Sequence, residues 1–502
     1  MNSLKQRVTA GAVWAVLEKL CLKVVTFGVT LVLARLLTPS DYGTVALLYI
    51  FTGVSGTLVD AGFGKALVQK KDAGEIHFNS VFYLSLLAAG LVYVVLFIGA
   101  PWVAEFYRQP ILTDLLRVMA LTLFFNALNG VQSAELTRDL RFKDGLKVSL
   151  ISSSFGAVVG ILLAFLHYGP WALVWSQIAA SIGATGAYWH FIAWRPKLTF
   201  SWRAVCGLFS FGWKMALSSI LDTVYSELSG LIVGRLYTKE DLAFLNRGRG
   251  LPAVGMETIN GTLLKVSFPA LAKLQDDSVR FRAGMRQMIQ VSTFFVFPVM
   301  VGCAVCAESL IPMLYGNQWG SSVPYAQIYC FTFALWPFHT INLQALVAMG
   351  RSDVFLKLEV VKKVLALTLM LISIRHGVLA FVLTSCLVTS PLSLVINAWP
   401  NQRLLGYTIA MQLRDVLPAA IVSLVMGGCV YSVPFILQGS GCFRLVLIIQ
   451  LFVGVFVFFS LSWIFRLQAL EQYLTLVDSV LGGRIHASWV LRRFRGAGNN
   501  RG

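Results

Sequence analysis

The chain has 502 residues, of which 57% are hydrophobic and only 13% are charged, and its mean hydropathy is +0.73. Soluble domains carry about 25% charged residues, so the composition excludes a water-soluble enzyme and leaves no room for a sizeable soluble domain. The net charge of +18 would suggest nucleic acid in a soluble protein, but no nucleic-acid-binding signature accompanies it.

A helix crosses a bilayer with roughly 20 apolar residues. Windows of that kind lie at 11–34, 42–64, 79–100, 115–135, 148–167 and 171–193. A second set lies at 208–233, 243–270, 288–310, 323–347, 356–375 and 378–397, and a last pair at 416–437 and 445–465. The expected fold is therefore all-α integral membrane, with about fourteen transmembrane helices. Lys5 and Arg7 followed by apolar residues imitate a signal peptide, but Glu18, Lys19 and Lys23 interrupt the run and no small-residue cleavage site follows. The stretch reads as the first membrane helix.

That first helix carries a stripe. At 100° per residue, Ala12, Ala15, Lys19, Lys23, Thr26 and Thr30 fall within roughly 80° of one another. Two cations on a face of small and polar residues point into a wet cavity, because an unpartnered charge in lipid is costly. Asp60 follows on the second helix. Residues 34–43 read ARLLTPSDYG and residues 234–243 read GRLYTKEDLA, so Arg35, Leu36, Thr38 and Asp41 recur as Arg235, Leu236, Thr238 and Asp241. A weaker echo joins 129–142 to 342–355. Each decapeptide links the first two helices of a six-helix half. The two halves are thus expected to form a parallel repeat related by a pseudo-twofold axis along the membrane normal.

The seventh segment contributes Lys214, Asp222 and Glu227. The eighth repeats the stripe, with Asn246, Arg249, Ala253, Glu257 and Asn260 within roughly 80°. Pro252 interrupts it, and Arg247 and Lys265 lie on another face. Lys19, Lys23, Lys214, Asn246, Arg249 and Asn260 form the candidate substrate-binding set, since arginine forks and lysine points suit phosphate. Asp60, Asp222, Glu227 and Glu257 are candidates for ion coupling. The alternative is that these charges are internal salt bridges holding helices together. After residue 465, Leu467, Leu470, Leu474, Val477 and Leu481 keep helical spacing, which predicts a short interfacial helix before a basic tail.

Lysines and arginines set the orientation. With the N-terminus inside, 26 of the 41 fall on cytoplasmic segments, 6 on the opposite side and 9 within helices. Both termini are expected in the cytoplasm. The eight cysteines lie mostly in apolar segments, and Cys303 and Cys306 form a CxxC with no second pair, which reads as small buried hydrophobes. The six histidines are scattered with no metal spacing. No Walker motif or catalytic constellation is present. No cofactor or metal is expected.

Several segments carry a family resemblance: GAVW at 11–14, ARLLTPSDYG, LVDAGFGKALVQKKD at 58–72, FPALAKLQDD at 268–277 and PMLYGNQWGSSVPYAQIYC at 312–330. Over essentially its whole length the chain resembles Wzx-type polysaccharide flippases of the MOP superfamily, near the colanic-acid branch. The resemblance implies transfer of a polyprenyl-diphosphate-linked oligosaccharide across the bacterial cytoplasmic (inner) membrane, for exopolysaccharide, O-antigen or capsule export. It implies alternating access driven by ion antiport, with cationic residues in the cavity. Lys19, Lys23 and Arg249 fit by type and location, while their assignment rests on the helix faces. The last two helices look like an additional pair that helps form a lipid groove in some members. The expected organisation is a six-helix lobe at 1–200, a second at 201–400, the extra pair at 401–466, and an interfacial helix with basic tail at 467–502. Membrane lipids, a glycan polymerase and glycosyltransferases are the expected partners besides the substrate, with no nucleic acid. The rival readings are a multidrug or cation exporter on the same fold, a membrane enzyme of glycan assembly, and a nontransporting scaffold. The positive stripes oppose the first, the short external loops the second and the buried charges the third.

Overall fold

The computed structural model describes residues 23–70, 72–139, 141–272, 274–436, 443–471 and 473. Among them every regular element is helical, and no strand occurs. It divides into two compact units, Met1–Ala243 and Phe244–Gly502.

The first unit opens with α1, helical from 23 to 36, then α2 (Pro39–Ala46), α3 (Tyr49–Asp60) and α4 (Phe63–Gln69). It continues with α5 (Glu75–Tyr107), α6 (Leu112–Met119), α7 (Thr122–Arg138), α8 (Phe142–Phe165), α9 (Pro170–Phe191) and α10 (Trp202–Leu236). α11 (Lys239–Ala272) begins here and runs into the second unit. That unit contains α12 (Ser278–Tyr315), α13 (Val323–Ala334), α14 (Trp336–Ala348), α15 (Ser352–Ser373) and α16 (Val378–Leu383). α17 (Ser390–Leu405), α18 (Ile409–Ile436) and α19 (Phe443–Ile464) complete it.

Each expected window meets helix, although residues 11–22 of the first, and Lys19 with them, lie outside the described residues. Among the described residues nine helical segments are long and apolar enough to cross a membrane, including Glu75–Tyr107, Ser278–Tyr315 and Leu445–Ile464. The others are shorter, more polar or more charged. Large apolar side chains such as Leu91, Val95, Trp102, Phe452 and Phe456 are exposed. Water would penalise that surface and lipid does not, so the chain is a multi-pass membrane protein.

The decapeptide repeat has a structural meaning. Thr38 Oγ1 accepts from the Asp41 amide at 3.2 Å, and Asp41 Oδ2 accepts from the Thr38 amide at 2.9 Å. In the second copy Thr238 Oγ1 accepts from the Asp241 amide at 3.1 Å, and Asp241 Oδ2 accepts from the Thr238 amide at 3.2 Å. These reciprocal capping boxes satisfy free amides at the starts of α2 and α11. The helices before them stop at equivalent residues, 36 and 236. The two linkers also touch, because a Cβ on Gly43 would sit 2.0 Å from the Lys239 carbonyl oxygen. Only glycine permits that approach.

Small residues bring other helices together. Gly156 and Gly160 on α8 lie against Ser176 and Ala180 on α9. Ser176 Oγ donates to the Gly156 carbonyl and Ser152 Oγ to the Ala180 carbonyl, both at 2.8 Å. Small faces and interhelical hydroxyl bonds replace the hydrophobic drive that lipid cannot supply. α10 packs on α3, where Thr223 Oγ1 is 3.5 Å from Thr57 Oγ1. Thus α10, which opens the second sequence repeat, is packed within the first compact unit, and that unit runs past residue 200 to Ala243.

In the second unit Asp277 caps α12, its Oδ1 accepting from the Val279 and Arg280 amides. Leu271, Phe281, Met285, Ile289, Phe338 and Ile341 form a buried core. A π-helical turn at Thr384–Thr389 precedes Pro391. Proline lacks the N–H that would close an α-turn there.

Candidate functional site

The candidate residues divide between the units. In the first, Lys23 is half-buried at the start of the described part of α1, and Thr26 Oγ1 donates to its carbonyl at 3.3 Å. Asp60 is the exposed last residue of α3. The chain turns there through left-handed Ala61 (φ 44°) and Gly62 (φ 72°). A Cβ on Gly64 would meet Asp60 Oδ1 at 2.9 Å, so glycine leaves space for the carboxylate. Asp60 lines a pocket of about 400 Å³ with Gly64, Gly130, Ser133 and Thr137. Asp222 is exposed and Glu227 half-buried on α10. Lys214 falls on the same helix, with its side chain outside the described set. Packing of α3 on α10 therefore places Asp60, Asp222 and Glu227 on one helix pair.

In the second unit Asn246, Arg249 and Glu257 are exposed on α11. Asn260 is engaged instead, since its Oδ1 accepts from Thr340 Oγ1 at 2.6 Å and joins α11 to α14. The Arg249 guanidinium lies within electrostatic reach of Tyr329 and Cys386. Among the described residues it forms no salt bridge and no hydrogen bond. Arg247, one face away, lies 4.8 Å from the Tyr315 ring and 4.7 Å from the Trp319 ring. Those two neighbouring arginines thus have different surroundings. One is held by aromatic faces, whereas the other presents a fork with no salt-bridge or hydrogen-bond partner among the described residues.

Two further features were not legible in the sequence. Asn342 Nδ2 donates to Gln412 Oε1 at 2.9 Å, and Gln412 Nε2 donates back to Asn342 Oδ1 at 3.1 Å. Asn401 Nδ2 donates to that same oxygen at 2.9 Å. All three residues are fully buried, tying α14, α17 and α18 together. Isolated amides in apolar helices were the available signal. An apolar pocket of about 390 Å³ also lies between α12, α18 and α19, walled by Val299, Leu310, Met426, Leu451 and Phe458. Among the described residues no group of histidine, cysteine and acidic side chains could hold a metal.

Solved membrane proteins share this fold. The chain is similar to the lipid II flippase MurJ in an inward closed conformation, with TM-score 0.71 and 14% identity over 90% of this chain and 98% of that one. It is also similar to an inward-facing multidrug resistance MATE family transporter of the MOP superfamily, with TM-score 0.56 and 14% identity over 85% and 100%. Sequence narrows the class, because residues 32–324 match the polysaccharide biosynthesis protein family, and the chain belongs to it. Its relatives include the teichuronic acid biosynthesis protein TuaB of Bacillus subtilis, 23% identical over 86% of this chain and 90% of that protein. The lipopolysaccharide biosynthesis protein WzxC of Escherichia coli is 24% identical over 72% and 74%. The succinoglycan biosynthesis transport protein ExoT of Rhizobium meliloti is 26% identical over 63% and 64%.

Proposed function

We propose that the chain moves a polyprenyl-diphosphate-linked oligosaccharide across the bacterial cytoplasmic membrane by alternating access. The moved glycan would supply exopolysaccharide, O-antigen or capsule. The observation that carries this reading is the exposed guanidinium of Arg249 on α11, which has no salt-bridge or hydrogen-bond partner among the described residues, in a chain of the polysaccharide biosynthesis family. An exposed guanidinium fork suits a diphosphate, whose oxygens accept paired hydrogen bonds. Lys19, Lys23, Lys214, Asn246 and Asn260 complete the proposed substrate set. Asp60, Asp222, Glu227 and Glu257 are the proposed coupling carboxylates. The apolar pocket between α12, α18 and α19 would take the first isoprene units while the sugars cross in water. In this reading both termini are cytoplasmic, the transport repeats divide near residue 200, and polymerase and glycosyltransferases act on either side of the transfer.

A drug exporter would share the fold, but the relatives TuaB, WzxC and ExoT are named for glycan biosynthesis or its transport. Proteoliposomes holding the purified chain test the proposal, using a polyprenyl-diphosphate oligosaccharide with a fluorescent sugar and an external quencher. Translocation should exceed that of protein-free liposomes and be inhibited by unlabelled lipid-linked oligosaccharide. A rate equal to the protein-free background, with ethidium efflux instead, would overturn it.

A further inference from the structure

Four arginines gather at one end of the second unit. Arg282 and Arg286 stand one turn apart early in α12, Arg414 lies early in α18, and Arg466 follows α19. They line two pockets of about 590 and 310 Å³, which share Arg286, Arg414 and Asp415. Asp415 is the single carboxylate lining either pocket among the described residues. It is already committed, with Oδ1 2.5 Å from Arg286 and Oδ2 accepting from the Tyr407 hydroxyl at 2.8 Å. Burial and the adjacent Asp415 carboxylate push the Tyr407 phenol well above its ordinary range, so it stays a donor. Arg286 is thereby held in place.

The charge does not balance. One carboxylate faces four guanidinium groups, and neither Arg414 nor Arg466 has an ion-pair partner among the described residues. Among the described residues Arg282 makes no ion pair; it meets the Met411 sulfur at 3.3 Å and the Tyr407 ring at 5.8 Å. Like charges gathered in this way repel unless an anion joins them. Leu405, Met411, Pro418 and Phe465 give the same pockets apolar walls. Phosphate matches the forks, glycerol and the first acyl carbons match the walls, and two pockets sharing two arginines accommodate two phosphates.

We propose that these adjoining pockets bind the headgroup of an anionic phospholipid, with the two phosphates of diphosphatidylglycerol occupying both. The site is separate from the stripe on α11, and it stands whether or not the transport reading holds.

Native mass spectrometry of the full chain, titrated with diphosphatidylglycerol and with phosphatidylcholine, tests this. Diphosphatidylglycerol should be retained and phosphatidylcholine should not. Each arginine lost should weaken binding about fivefold, so the paired variant Arg414→Gln, Arg466→Gln should bind about thirtyfold less tightly. The control Arg375→Gln, which removes one positive charge away from these pockets, should bind like the original chain. A photoreactive diphosphatidylglycerol on the unaltered chain should label the segments around Met411 and Phe465, which gives a readout independent of variant folding. Unchanged binding by the pair, equal retention of phosphatidylcholine, or labelling confined elsewhere would each overturn the proposal. So would displacement by millimolar inorganic phosphate, which would make free phosphate the ligand. Preferential loss of undecaprenyl diphosphate from the paired variant would assign the pockets to the transported lipid and overturn it equally.

Discussion

Replacing Arg249 with alanine separates a ligand contact from a helix-holding charge. The side chain is exposed on α11 and forms no salt bridge or hydrogen bond among the described residues. Removing such a group from the folded chain should change stability by no more than about 0.5 kcal/mol. A hydrogen bond to a charged group contributes about 1.5–3 kcal/mol, so losing the diphosphate contact should weaken substrate handling by roughly 10- to 150-fold. The two quantities to measure are membrane abundance, by immunoblot, and translocation in the proteoliposome assay. Abundance should hold while translocation falls. Arg249→Lys should recover part of the loss, because it keeps the charge and loses the fork. Loss of the alanine variant from the membrane would refute the reasoning. So would full translocation by a double variant that also replaces Glu257 with glutamine, since the charge would then matter only to its neighbour.

Three further outcomes follow from packing and topology. Gly43→Ala would drive a Cβ into the Lys239 carbonyl, 2.0 Å away; backbone cannot yield as a side chain can, so a loss of roughly 1–3 kcal/mol is expected, and an unchanged melting temperature in detergent would refute it. Asn342→Ala removes both side-chain bonds to Gln412 and one of the two Asn401 bonds, leaving Asn401 the backbone carbonyl of residue 342, and each buried group left unpaired costs roughly 1–3 kcal/mol. Its detergent melting temperature should fall well below that of Arg375→Gln, and equality between the two would sink the argument. A cysteine placed at Arg280 in an otherwise cysteine-free chain should react with a membrane-impermeant maleimide only after permeabilisation; labelling in intact cells would reverse the proposed orientation.

The sequence by itself located the helices, because crossing a bilayer is a local demand on twenty or so consecutive residues. It also located the repeated linker, because a capping box joins residues three apart and needs no distant partner. The stripe on α11 was legible in the same way, since helical periodicity is local. What each polar residue on that stripe meets was not. Asn260 turned out to be engaged by Thr340, eighty residues away, whereas Arg249 has no hydrogen-bond or salt-bridge partner among the described residues. The Asn342 network joins residues 59 and 70 positions apart, and the arginine pockets draw on α12, α18 and the turn after α19. Such meetings depend on how each helix is rotated and where it crosses its neighbour, and hydropathy carries neither quantity. The packing of α10 on α3 has the same origin. The sequence repeat counts α10 with the second half, but close approach at Gly62 and the Thr57–Thr223 contact hold it in the first compact unit. Those contacts exist only once both helices are in place.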